Sequence, residues 1–216
     1  MKTSPSWVAI IVDVSRSRSH PDRSALQREL EAAFDRVNAL VVADQPLAPT
    51  VGDEFQAVFA DLGSALHAIL LARLFVPEGV ECRFGIGRGN ITEIGSGVLG
   101  MVQDGSAWWS AREAIDEARR LEYSRLSSVR SWYRSADGQS GREDPPVNAW
   151  LLARDQMVGS MSARARRLLL GQLLGFTQKE LAAQEGISQS AVSQSLSRSG
   201  ANILLAGDTL VNGGVL

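Results

Sequence analysis

Apolar and polar positions follow two different periods along this chain, and the changes of period mark out its elements. WVAIIVDV (7–14) is short, β-branched and almost wholly apolar, the pattern of a buried strand. Between 24 and 41 the period lengthens, with Leu26, Leu30, Ala33, Phe34, Val37 and Leu40–Val41 at helical spacing. LAPTV and FQAVFA then flank Gly52, Asp53 and Glu54 and predict a hairpin. LGSALHAILLARLF (62–75) predicts a second amphipathic helix. VECRFGIGRGNITEI (80–94) predicts a strand that passes into a second hairpin or turn, with Gly85, Gly87 and Gly89 alternating. SAWWSAREAIDEARRLE (106–122) predicts a third helix. The order β-α-β-β-α-β, followed by extra elements, is the ferredoxin-like supersecondary pattern.

Periodicity stops at SADGQSGREDPP (135–146), where Gly, Ser, Asp and Pro-Pro predict a linker. Every segment beyond it reads as helix. The expected organisation is therefore an α+β domain over 1–134, a linker over 135–146 and a small all-α domain over 147–216.

The β-α-β order has a consequence for chemistry. A right-handed crossover makes the first two strands parallel, and the hairpin returns the third strand antiparallel beside the first. Asp13, at the end of strand one, and Asp53, at the hairpin tip, are then expected at one sheet edge, with Glu54 as a third carboxylate. Carboxylates brought together repel unless a cation lies between them. Mg²⁺ or Mn²⁺ with a nucleotide's phosphates suits such a corner. Gly52 lets backbone approach a phosphate closely. Ser15, Arg16, Ser17 and Arg18, which follow Asp13, offer hydroxyls and guanidinium forks to phosphate oxygens. The plainer alternative makes Gly52-Asp53 a tight turn and Asp13 a strand-end cap. Trp108 and Trp109 are open in the same way, as packed aromatics or as a base-stacking wall.

TQKELAAQEGISQSAVSQSLSR (177–198) is the most specific local pattern. Thr177 and Glu180 form the T-x-x-E capping box of a helix start. Leu181 and Ala182 point inward, Gly186 permits a turn with positive φ, Ile187 fills the corner, and Ser188 caps a second helix anchored by Val192 and Leu196. Gln189, Ser190, Ser193, Gln194, Ser197 and Arg198 are left for the outer face, where Gln and Ser suit base edges and Arg suits phosphate. Together with Thr177 they form the candidate DNA-contacting set. Arg164, Arg166 and Arg167, on a preceding support helix, are placed near the DNA backbone. The pattern resembles helix-turn-helix domains of bacterial regulators and region-4-like sigma modules. The alternative is a helical hairpin that packs on the first domain and touches no DNA.

Charge and composition narrow these readings. The net charge is −2, with six Arg/Lys and four Asp/Glu in residues 147–216. That excess of cations is too small for indiscriminate binding to nucleic acid, and useful affinity would require a homodimer. Cys82 is the only cysteine and the two histidines are far apart, which excludes a disulfide framework and a Cys/His metal cluster. No run of about 18 apolar residues is present, and the start lacks a signal-peptide pattern. A cytoplasmic location without membrane contact is expected.

APTVGDEFQAVF resembles the hairpin of class III nucleotidyl cyclases and, more distantly, the GGDEF motif of diguanylate cyclases; AIIVDV resembles their first metal-aspartate strand. VAIIVDVSRSR, GDEFQ, RFGIGRGNI and DGSAWWSAREAI, in that order, are similar to the SatD family over about residues 7–116. The resemblance implies a palm- or cyclase-like domain in which Asp13 and Asp53 are the metal pair and Glu54 a further ligand. The chain departs from the cyclase pattern where Trp109 takes an Asn position and Arg112 is out of step by one residue. Weak or absent cyclase activity follows as an expectation. The leading expectation is a DNA-binding regulator whose acidic corner senses a nucleotide. Its rivals are an active cyclase or nucleotidyltransferase, and a catalytically dead dimerisation scaffold.

Overall fold

The computed structural model describes residues 6–15, 21–50, 53–97, 100–136 and 140–215. It is a mixed α+β structure. Strand β1 (Trp7–Val14) lies at the centre of a five-stranded sheet. Around it come α1 (Arg23–Asn38), the hairpin β2 (Gln45–Pro49) and β3 (Phe55–Phe59), α2 (Leu62–Phe75) and β4 (Cys82–Gly89). A two-stranded hairpin, β5 (Thr92–Gly97) and β6 (Gly100–Asp104), precedes α3 (Ser106–Glu122) and β7 (Ser131–Ser135). Five helices follow: α4 (Ser140–Ser160), α5 (Ala163–Leu173), α6 (Gln178–Glu185), α7 (Gln189–Arg198) and α8 (Ala201–Val211). The sheet order is β2-β3-β1-β4-β7. β3 and β4 run antiparallel to β1, and β7 runs parallel to β4.

Side-chain alternation along β1 divides the core. Val8, Ile10, Val12 and Val14 pack with α1 and α2, whereas Ala9 and Ile11 pack with Ala107, Ala111 and Ile115 of α3. Helix α1 starts at Asp22, whose side chain accepts from the Ala25 N–H at 2.8 Å, and its predicted stripe from Leu26 to Val37 is buried. The stripe stops there: the helix ends at Asn38 and Leu40 is exposed.

Helix α3 lies directly on β4 because beyond Arg83 that face of the strand carries only Gly85, Gly87 and Gly89. A Cβ at Gly85 would sit 2.2 Å from the Ala111 carbonyl oxygen, and one at Gly87 would sit 2.1 Å from that of Ala107. The alternating glycines are therefore a packing surface for a helix, since only a backbone without Cβ admits so close an approach.

Two expectations are corrected here. Helix α2 is not amphipathic but buried on nearly all sides. One face meets the sheet, while Leu70 and Leu74 enter a second core with Leu168, Leu169, Leu181, Val192, Leu196 and Leu204. A helix sandwiched between two layers needs no polar stripe. The expected linker is also largely ordered structure. Ser135 ends β7, and residues 140–146, Pro145 and Pro146 included, open α4. Tertiary contacts hold that turn: Tyr133 Oη donates to Glu143 at 2.8 Å, Arg88 pairs with Glu143 at 2.7 Å, and the Ser135 N–H donates to Asp144 at 3.1 Å. Farther along, the Asn148 side chain bonds both the N–H and the carbonyl of Tyr133, so α4 covers the outer edge of β7. No helix among the described residues is long and apolar enough to cross a membrane.

Candidate functional site

The register of β1 against β3 pairs Val12 with Phe55, so the next step toward the hairpin tip brings Asp13 opposite Glu54. Both lie on the α3 side of the sheet, and both are engaged by arginines. Asp13 accepts from Arg83 at 3.2 and 3.3 Å and from Arg119 of α3 at 2.5 Å. Glu54 takes both arms of Arg112, at 2.6 and 3.0 Å. Arg83 also donates to Glu122, which accepts from the Ser15 hydroxyl at 3.4 Å and pairs with Arg130 at 3.7 Å. Arg83 is nearly inaccessible and Asp13 mostly so, and pairing keeps both charged groups tolerable away from water.

Asp53 is placed differently. It lines a shallow pocket of about 340 Å³ with Val14, Leu26 and Leu30, on the α1 side of the sheet. Of the expected trio, strand register sets Asp13 opposite Glu54, while Asp53 contributes to the lining of that pocket. As placed, Asp13 and Glu54 are taken up by arginine rather than left open to Mg²⁺ or Mn²⁺. Two carboxylates are neutralised by guanidinium groups, and no group of three His, Cys, Asp or Glu among the described residues is placed to hold an ion. Ser15 hydrogen-bonds Glu122. Arg16, Ser17, Arg18 and Gly52 lie outside the described residues.

The arginines are what sequence reasoning missed. Arg83 sits within CRFGIG and is the strand partner of Asp13. An Arg in a strand of otherwise mainly apolar residues and glycine, with Arg88 at its far end, was the available signal. Arg119 reaches Asp13 across 106 positions, and no local pattern reports such a pair.

In the helical part, the Thr177–Glu180 capping box is formed, Gly186 takes φ 64°, and Ser188 caps α7 by accepting from the Ala191 N–H at 3.2 Å. Leu181, Ala182, Val192 and Leu196 are buried, and Ile187 packs against them. Thr177, Gln189, Ser190, Ser193, Gln194, Ser197 and Arg198 are all exposed. The support helix α5 begins at Ser162, but its arginines are occupied. Arg167 takes Glu185 in two bonds of 2.7 Å, and Arg164 approaches the same carboxylate at 3.8 Å. Arg166 donates to the Arg73 carbonyl, and burial pulls its guanidinium below the usual arginine range. Arg154 is buried. Of the six cations in 147–216, Lys179 and Arg198 remain exposed and outside any ion pair with a described residue.

Fold and site define a mixed α+β protein with a packed helical extension and an acidic corner closed by arginine. The model of the SatD family matches residues 7–211, and the chain belongs to that family. The match takes in the helical part as well as the sheet. None of the curated proteins compared matches the sequence. Two solved structures of a bacterial light-regulated adenylyl cyclase are similar to 56% of the chain at 16% identity, with TM-scores of 0.42 and 0.43. The chain spans 43% of the length of those cyclase chains.

Proposed function

We propose that this protein is a DNA-binding regulator in which α6, the turn at Gly186 and α7 act as a helix-turn-helix and α7 enters the major groove. The observation that carries the reading is the division of α7 into a buried anchor, Val192 and Leu196, and an exposed outer face made of Gln189, Ser190, Ser193, Gln194, Ser197 and Arg198. Glutamine amides offer a donor and an acceptor to base edges, and serines suit bases or phosphates. With Arg198 and Lys179 as the exposed cations of this part outside any ion pair with a described residue, one protomer neutralises few phosphates. The reading therefore includes a homodimer on a two-fold site with half-sites about 34 Å apart.

The palm- or cyclase-like α+β part belongs to the same proposal as a ligand-responsive body. What favours binding over catalysis there is the arginine closure of Asp13 and Glu54, which leaves no carboxylate pair free to take a cation.

The test is selection of genomic fragments by the full chain at two salt concentrations. Enrichment of a two-fold sequence is expected. Gln189→Ala or Gln194→Ala should then cost about 1–3 kcal/mol at one base position and relax preference there. Arg198→Ala should weaken all fragments alike and flatten the salt dependence. Failure to enrich any sequence at either salt concentration overturns the reading in favour of a helical hairpin that only packs.

A further inference from the structure

A second feature lies on the α3 side of the sheet and takes no part in the DNA reading. A cleft of about 520 Å³ opens between the α3 face of the sheet and the β5–β6 hairpin. It is lined by Gln45 of β2, Gln56 of β3, Gln103 of β6, and Trp108, Trp109 and Arg112 of α3. Its size is that of a small-molecule site.

Four properties of the lining specify a ligand. Three glutamine amides from three strands converge, each with a donor and an acceptor, and Gln45 and Gln103 make no side-chain hydrogen bond to another described residue. The indole N–H of Trp108 is buried without a hydrogen-bond partner, alone in this among the buried side-chain polar atoms of the described residues. Buried donors are nearly always satisfied, so one left open in an indole that lines the cleft sets this wall apart from the rest of the core. Trp109 is 61% exposed, yet its ring is held in place by a 2.8 Å bond from Nε1 to Asp104. An exposed tryptophan fixed in this way offers a preorganised flat surface for stacking.

The fourth property is charge. Arg112 is the only cation of the lining, and Glu54 occupies both arms of its guanidinium. Glu113, also in the lining, is paired with Arg134. The neighbouring cleft, which shares Gln45 and Gln103, adds Asp44 and Glu93 and no cation. Nothing in the lining is left to attract phosphate.

We infer that this cleft binds an uncharged nucleobase or nucleoside, with the base stacked on Trp109 and its edge read by the glutamine amides. The site adjoins the acidic corner through Arg112 and Gln56 and selects against nucleotides, because a triphosphate would meet Asp44, Glu93 and Glu113 without a free counter-charge.

Isothermal titration calorimetry on the full chain tests this with adenine, guanine, cytosine, uracil, their ribonucleosides, and ATP and GTP. Saturable binding of at least one base or nucleoside is expected, with the matching triphosphate about tenfold weaker or more. Trp109→Ala should weaken binding about tenfold, the loss of one stacking contact. Gln103→Leu should weaken it and change which base is preferred. Both side chains are at least partly exposed, and circular dichroism identical to the parent establishes that either variant is folded. The inference is overturned if no base or nucleoside binds at millimolar concentration, if a triphosphate binds more tightly than its nucleoside, or if Trp109→Ala and Gln103→Leu both leave the affinity unchanged. None of these outcomes depends on whether α7 binds DNA.

Discussion

Asp155 shows how much a single side chain can join. It is fully buried, accepts from the backbone N–H groups of Arg130 and Ser131 at 2.7 Å, and faces Arg73 at 2.7 Å and Arg154 at 3.2 Å. Asp155→Asn keeps the shape but leaves two buried guanidinium groups without their carboxylate. Loss of about 3–5 kcal/mol is expected in urea denaturation, the cost of leaving buried charge uncompensated. Gly87 makes the opposite kind of demand. An added methyl would meet the backbone of Ala107 and Ala111 rather than a side chain that can swing away. Gly87→Ala should cost about 1–3 kcal/mol by the same measurement, as overpacked cores do, whereas a role confined to backbone entropy predicts a gain. The alternation of Gly85, Gly87 and Gly89 was visible in the sequence, but its purpose was not. What makes those positions intolerant is the carbonyls of a helix some twenty residues later.

At the scale of elements, helix starts were the most legible feature. Thr177, Ser188 and the glycine turn at 186 act on backbone groups two or three residues away, so their meaning is contained in the local string. The same locality supports a pH prediction. The backbone hydrogen bond at Thr177, with its hydroxyl, holds the Glu180 carboxyl below the usual range, and the Arg167 hydrogen bond does so for Glu185. A carboxyl with a depressed folded pKa adds stability that is present above its unfolded value, about 4.3, and lost as the pH falls through the folded value. Helix α6 should therefore keep its full stability from neutral pH down to about 4.3 and lose part of it below. Thermal melts of Glu180→Gln against the parent check this: the difference between them should shrink as the pH falls below that range, and a constant difference would contradict it. Element type was harder to read where packing overrides local preference. Residues 140–146 contain two prolines and a glycine, yet they form helix because Glu143 and Asp144 are held by Tyr133, Arg88 and Ser135.

For the molecule as a whole, the expected division near 135–146 runs through shared structure. Leu70 and Leu74 of α2 complete the core of α5–α8, and α4 covers the edge of β7. A chain ended at 139 is expected to aggregate or to unfold without cooperativity, since it bares that edge and those leucines. Residues 147–216 alone should likewise lack a cooperative melt. Two separately cooperative fragments, seen by calorimetry, would restore the division into independent domains. By itself the sequence determined the α+β content, the positions of most strands and helices, the caps and turn of α6 and α7, and which residues occupy their outer face. All of these follow from a period of two or 3.6 or from neighbours within a few positions. Tertiary structure alone decided that three arginines close the acidic corner and that α2 is buried on both sides. The physical reason is separation along the chain. Arg83, Arg112 and Arg119 meet their carboxylates across 70, 58 and 106 positions. Pairings of that kind are set by how helices lie on a sheet, which no local pattern records.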